Sequence, residues 1–321
     1  MPLVTIIVPT KPGQAEIKSV DAVRRLDYPR EKLEIIVARG KQPAVQRNRA
    51  LREASGEFIY FLDDDAQPTA GALRRAVEHF RDPVVQMAGG PNLCPPDAPF
   101  LEQVFSVVLS SWVAFGPSRA RYARTGEVRP TSEKELILCN LLARRTSLLE
   151  SGGFNEALYP NEENALMDEM QHRGGKLIYD PDVLVYRRPR GTVSAFCKML
   201  MTYGRGRAEQ FRLHPTAGSA MNFMPPLFLL YMVAFLSVVW FLPPARWAFG
   251  LVAPLLAYWL VLVAQTAVSV ARFGIVRSVV AFPLLFATHA LYGAGFWRGL
   301  FTSVDRTKAK PTEVLCERIP I

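Results

Sequence analysis

Three long stretches without a charge constrain this chain more than any other feature. No Asp, Glu, Lys or Arg occurs between Arg212 and Arg246, between Arg246 and Arg272, or between Arg277 and Arg298. Each gap holds the about 20 apolar residues that a membrane-crossing helix needs, with cores at 223–242, 247–270 and 278–297. Burying three such segments in a soluble core would require other elements to cover each on all sides. Before Met221, however, the apolar runs are only strand-sized. The expected organisation is an N-terminal domain at 1–190, a basic amphipathic segment at 191–222, three transmembrane helices at 223–300, and a tail at 301–321.

The net charge of +9 is concentrated just ahead of the first apolar span. Arg187, Arg188, Arg190, Lys198, Arg205, Arg207 and Arg212 fall there, opposed only by Glu209. No nucleic-acid module accompanies them, so the expected partners are anionic membrane lipids or a diphosphate rather than nucleic acid. Residues 195–201 fit a helix lying in the membrane interface, apolar on one side and basic on the other. Residues 1–3 lead into an apolar strand without a basic leader or cleavage site, so the N-terminal part is expected in the cytoplasm of a multi-pass inner-membrane protein. Three crossings then put the tail outside, although Arg298, Arg306, Lys308, Lys310 and Arg318 make it basic. Pro225-Pro226 and Pro243-Pro244 leave open a bent first segment and only two crossings. Cys94, Cys139, Cys197 and Cys316 are too scattered for a zinc site or a disulfide framework.

Through residue 190 the chain alternates between strand and helix. Apolar β-type runs fall at 3–8, 33–37, 58–62, 85–88 and 136–142. Helical patterns fall at 16–26, 45–54, 70–80 and 164–172, and an amphipathic one at 100–115. Strands this uniformly apolar are covered on both faces, which predicts an α/β fold with a mainly parallel sheet and flanking helices.

Two acidic groups carry the chemistry. Asp63, Asp64 and Asp65 stand where the strand at 58–62 ends. Adjacent carboxylates repel, and a divalent cation relieves that cost. Mg²⁺ or Mn²⁺ suits the role, taking one or two carboxylates together with a substrate diphosphate. Open α/β sheets bind ligands beyond the carboxyl ends of their strands. Downstream, Gly152-Gly153-Phe154-Asn155-Glu156 leads to Glu162-Glu163 at a helix start. Helix capping explains acids there, but a buried or paired Glu can also have its pKa raised into the range of a general base.

These segments resemble family 2 glycosyltransferases. Residues 4–10 are similar to the family's opening strand, Gln46-Arg47-Asn48-Arg49-Ala50 to its Ala-Arg-Asn-x-Gly element, and residues 61–65 to its Asp-x-Asp motif. Residues 152–163, Gly174-Gly175 and Tyr179-Asp180-Pro181 resemble its acceptor-side segment. Residues 185–190 and 203–207, with the spans that follow, are similar to membrane enzymes of succinoglycan biosynthesis. The resemblance implies a GT-A fold, Mn²⁺ or Mg²⁺, and inverting transfer from a nucleotide-diphospho-sugar to a lipid-linked or glycan acceptor. It places Pro9 and Thr10 at the nucleoside, Arg47 at the nucleotide or diphosphate, Asp63 and Asp64 at the donor, and Asp65, with Asp63, at the metal. Glu163 falls at the base position with Glu162 beside it, and Tyr203, Arg205 and Arg207 at a lipid or diphosphate. Ala38-Arg39 stands where the family usually carries an acidic pair that reads the base. The processive Gln-x-x-Arg-Trp motif is missing, which implies single addition. Three alternatives remain: a polyprenyl-phosphate or glycolipid acceptor, a nucleotidyltransferase on a similar scaffold, and an inactive domain serving a membrane scaffold.

Overall fold

A computed structural model describes residues 1–158, 161–213, 215, 217–241, 247–302 and 313–321. They divide into two compact units: Met1–Pro95, Pro117–Arg188 and Asp305–Ile321 form the first, Pro96–Gly116 and Pro189–Val304 the second. In chain order the strands are β1 (Val4–Thr10), β2 (Leu33–Arg39), β3 (Phe58–Phe61), β4 (Gln67–Pro68), β5 (Val85–Gly89), β6 (Asn92–Leu93), β7 (Arg129–Thr131), β8 (Leu141–Arg144), β9 (Lys176–Tyr179), β10 (Val185–Tyr186) and β11 (Leu315–Ile319). The helices are α1 (Lys18–Val23), α2 (Pro43–Glu53), α3 (Ala72–Glu78), α4 (Phe100–Leu109), α5 (Trp112–Phe115), α6 (Arg145–Glu150), α7 (Glu162–His172), α8 (Val193–Leu213), α9 (Met224–Phe241), α10 (Trp247–Phe273) and α11 (Ile275–Phe301).

The first unit is a GT-A-like α/β fold. Its main sheet has the order β11-β2-β1-β3-β8-β5-β9-β7. All seven residues of β1 are buried, because alternate side chains of a central strand enter opposite cores. Ile6, Ile35 and Tyr60 face the core closed by α1 and α3. Ile7, Ile36 and Phe61 face the core closed by α2, α6 and α7. The sheet is mixed rather than mainly parallel. β2, β1 and β3 run parallel, but β8 pairs antiparallel with both β3 and β5. The expected strand at 136–142 starts late, since Leu138–Asn140 form a 3-10 turn first. Buried Asn140 explains the turn: it accepts from Tyr60 Oη at 2.7 Å and donates through Nδ2 to Val183 O at 2.7 Å.

Tail residues Leu315–Ile319 form an edge strand of the main sheet, with β11 antiparallel to β2 in the register Cys316↔Ala38 and Glu317↔Val37. Arg39 Nε reinforces the pairing through Glu317 Oε1 at 2.9 Å. A strand hydrogen-bonded to β2 lies on the same side of any membrane as β2, so this pairing does not fit the expected external tail. Of the basic tail residues, Arg306, Lys308 and Lys310 lie outside the described residues, as do Pro243-Pro244.

Within the second unit, three helical segments are long and apolar enough to cross a membrane: Ala220–Phe241, Gly250–Phe273 and Ile275–Phe301. The expected helix at 100–115 is broken at Ser110–Ser111, where the Ser111 side chain accepts from the Ala114 N–H and starts α5. The helix expected at 195–201 extends well past those bounds, and α8 buries Phe196, Leu200, Gly204 and Ala208 along one face. Gly204 lets α8 approach α11 closely, since a Cβ there would collide with the backbone carbonyl of Tyr292.

Candidate functional site

The parallel strands deliver their carboxyl ends to one edge of the sheet, and neighbours β2 and β3 leave β1 on opposite sides. This is the strand-order switch at which open α/β sheets bind ligands. Thr10 ends β1 there, and the Asp63–Asp65 turn follows β3. Thr10 Oγ1 donates to Asp64 Oδ2 across the gap at 3.3 Å. Pro9 and Thr10 are buried. Gln46, on α2, fastens the same edge by donating through Nε2 to Thr10 O at 2.8 Å and Ala38 O at 2.5 Å.

The expected acids and Arg47 meet, and a second arginine joins them. Arg47 Nη1 lies 3.2 Å from Glu162 Oε1, and Arg47 Nη2 lies 3.1 Å from Asp63 Oδ1. Arg187 Nη1 lies 3.0 Å from Asp63 Oδ2, and Arg187 Nε lies 2.5 Å from Asp65 Oδ1. The five side chains form one alternating string, Glu162–Arg47–Asp63–Arg187–Asp65. Both oxygens of Asp63 are held by guanidinium groups, whereas one pairing with Arg187 is seen at Asp65. Cys139 is buried beside this string, and burial pushes its thiol up to about 12, so it remains neutral.

Glu162 is the most buried acid of the string. It is 3% exposed, and its Oε2 has no hydrogen-bond partner. Burial, then the charge of Glu163, push its pKa up to about 7, against the opposing pull of Arg47. Glu163 sits beside it in the first turn of α7 and is partly exposed. The preceding Asn161 has φ 96°, the one positive φ of a non-glycine residue among those described. Asn tolerates this left-handed conformation better than most residues, and Asn164 Nδ2 donates to its Oδ1 at 2.9 Å.

Asn48 holds the loop that leads into α7. Its Nδ2 donates to Phe154 O at 2.8 Å and Glu156 Oε1 at 2.9 Å, and its Oδ1 accepts from the Phe154 N–H at 2.8 Å. Gly153, with φ +77°, passes so close that an added Cβ would stand 2.5 Å from Asn48 Oδ1. Asn48 of the first motif and Gly153 of the second thus meet in one packed contact.

Among the described residues, no group of three or more His, Cys, Asp or Glu side chains is placed to hold a metal. An ion completed by a diphosphate needs only one or two carboxylates, and the 42%-exposed Asp65 carboxylate at the strand exit fits that requirement. Tyr203, Arg205 and Arg207 belong to the second unit, on α8. There Arg205 Nε pairs with Glu209 Oε1 at 3.4 Å, and Arg207 Nη1 donates to Gln210 Oε1 at 3.1 Å. Sequence reasoning counted Arg187 only as part of a basic run, and gave no role to Gln46 or Asn48 beyond the motif. The signal for Arg187 was available in principle, since three consecutive acids at a strand end call for compensating cations.

The first unit thus combines a mixed sheet, an acidic turn at its strand-order switch and a paired glutamate at a nearby helix start. Residues 18–140 match the family described as Glycosyl transferase family 2. The pre-mycofactocin glycosyltransferase of Mycobacterium tuberculosis, from strains CDC 1551 and H37Rv, is 27% identical over 176 residues. That stretch is 54% of this chain and 36% of the relative, so the chain matches little more than a third of the length of these curated proteins. Among solved structures, the mannosyltransferase PcManGT from Pyrobaculum calidifontis, in complex with GDP-Man and Mn²⁺, is similar with a TM-score of 0.55 and 20% identity. The similarity covers 94% of this chain and 87% of that one, and at this identity it establishes the fold.

Proposed function

We propose that the protein is a metal-dependent, inverting glycosyltransferase of the succinoglycan-biosynthesis type, acting at the cytoplasmic membrane face. It transfers one sugar from a nucleotide-diphospho-sugar to a lipid-linked or polysaccharide-precursor acceptor. The alternating string of charges carries this reading, because it joins a donor-type acidic turn to the base-type glutamates through shared arginines. The relative's pre-mycofactocin activity and the GDP-Man and Mn²⁺ of the similar structure support the reaction class and donor class. Neither fixes this chain's sugar.

Pro9 and Thr10 line the nucleoside side of the switch, and Asp63 and Asp64 shape the donor side. Asp65 is the principal protein ligand for Mn²⁺ or Mg²⁺, with Asp63 next to it. The ion supplies charge stabilisation for the leaving diphosphate. Arg47 keeps Asp63 and Glu162 in register. Glu163 takes the proton of the acceptor hydroxyl as that oxygen attacks the anomeric carbon opposite the leaving group, inverting the centre. A second assignment, with Glu162 as the base, is favoured by its burial, its unpartnered Oε2 and its pKa of about 7. Tyr203, Arg205 and Arg207 contact the acceptor's lipid or diphosphate. The test is turnover of acceptor and nucleotide-sugar by membranes carrying Glu163→Gln or Glu162→Gln. Loss of one positioned base lowers the rate about 10²- to 10⁴-fold. Full activity in both variants would refute a glutamate base at this helix start.

A further inference from the structure

We propose that Arg187 is a built-in counter-cation of the Asp63–Asp65 turn: it holds Asp65 back from a divalent metal until a nucleoside diphosphate brings the metal and draws the guanidinium onto its own phosphate oxygens. This rests on the donor reading above. The backbone already positions Arg187 for it. Its N–H donates to Leu93 O at 2.9 Å, directly after the β10–β6 pairing, so the side chain starts from a fixed point. From there one guanidinium spans two carboxylates, at 3.0 Å and 2.5 Å. The contact to Asp63 is backed by Arg47 on the other oxygen, whereas Asp65 lies at the end of the string and is the more exposed acid. The Asp65 end therefore breaks with less disruption.

A metal at Asp65 and a guanidinium on the same carboxylate repel each other, so each weakens the other's binding. A diphosphate resolves the conflict. Its oxygens complete the metal's coordination and offer the displaced guanidinium the planar, two-donor contact that arginine makes with phosphate. Arg187 acts here as a positioning residue for metal and donor, with no bond made or broken.

The test uses the full chain in detergent, with Mn²⁺ alone as the first probe and free Mn²⁺ read by paramagnetic resonance. Removing a like charge next to a binding carboxylate shifts its affinity for a cation by about tenfold or more, by the same physics that moves a carboxylate pKa one to three units beside a cation. Arg187→Gln should therefore bind Mn²⁺ alone at least about tenfold tighter than the wild type. With GDP or UDP in EDTA as the second probe, the same variant should bind the nucleotide more weakly. If Arg187→Gln does not fold, Asp63→Asn compared with Asp63→Asn/Arg187→Gln keeps the charge balanced, and the double variant should show the same tightening. Mn²⁺ binding that is unchanged or weaker on removal of Arg187 overturns the proposal. Failure of GDP and UDP to bind any form, even with Mn²⁺, overturns the donor reading separately, because the Mn²⁺-only comparison does not use a nucleotide.

Discussion

Glu162→Gln separates the electrostatic account of the site from a purely architectural one. In the folded protein the Glu162 carboxyl is pushed from 4.5 to about 7, first by burial and then by Glu163. Below about pH 4.5 both folded and unfolded chains hold the proton, and this group's stabilising contribution is fully present. As pH rises towards about 7, the unfolded chain gives up the proton and the folded chain keeps it. Stability then falls by up to about 1.4 kcal/mol per pH unit. Over that window the loss is about 3 kcal/mol, and it is complete above pH 7. Glutamine cannot ionise, so the variant escapes this loss. Relative to wild type, its melting temperature should climb between pH 4.5 and pH 8, by roughly 6–12 °C at about 2–4 °C per kcal/mol. Melts of the detergent-solubilised protein, followed by tryptophan fluorescence, measure this. A constant offset between the two proteins across the range would refute the buried-carboxylate reasoning. The same proteins divide the base assignment. With Glu163 as base, Glu163→Gln carries the large rate loss and Glu162→Gln a smaller one. With Glu162 as base, the order reverses, and the fall in kcat/KM below about pH 7 disappears in Glu162→Gln.

Asp65→Ala should abolish transfer and leave the melting temperature within a few degrees, since its carboxylate is 42% exposed; an active variant, or full wild-type activity in EDTA, rules out the metal role. Gly153→Ala combines a φ of +77° with a Cβ 2.5 Å from Asn48 Oδ1, and should destabilise the first unit by about 1–3 kcal/mol, read as a lowered melting temperature; an unchanged value would refute the close-approach argument. A cysteine introduced at exposed Glu313, in a background without native cysteines, should stay protected from an impermeant thiol reagent until the cells are lysed; labelling in intact cells would contradict either the β11–β2 pairing or a cytoplasmic catalytic unit.

What could be read from the sequence was local. Val4, Ile6, Ile7 and Val8 announce a central strand because every one of them is apolar, and the acids at 63–65 mark its neighbour's exit. The apolar spans were legible by the same logic, from uninterrupted composition. The contacts that escaped prediction join distant residues. Cys316 pairs with Ala38 across most of the chain, and five residues with a charge pair in the middle announce no partner. Arg187 lies in a basic run that has the same composition whether it faces lipid or carboxylates, and only the fold brings it to Asp63 and Asp65. Ser110–Ser111 broke an otherwise continuous amphipathic pattern because a serine side chain can take the N-terminal N–H of a new helix. Asn140 delayed β8 for a similar reason, since its side chain bonds displace the regular ladder.

The central claim is that the Asp63–Asp65 turn receives a metal-bound nucleotide-sugar for glycosyl transfer. Its most direct test supplies membrane fractions containing the protein with a panel of nucleotide-sugars and scores nucleoside-diphosphate release with and without Mn²⁺. The account predicts nucleoside-diphosphate release from at least one donor, dependent on Mn²⁺ and lost in Asp65→Ala. No release from any donor, release unaffected by Asp65→Ala, or release of inorganic diphosphate would contradict it.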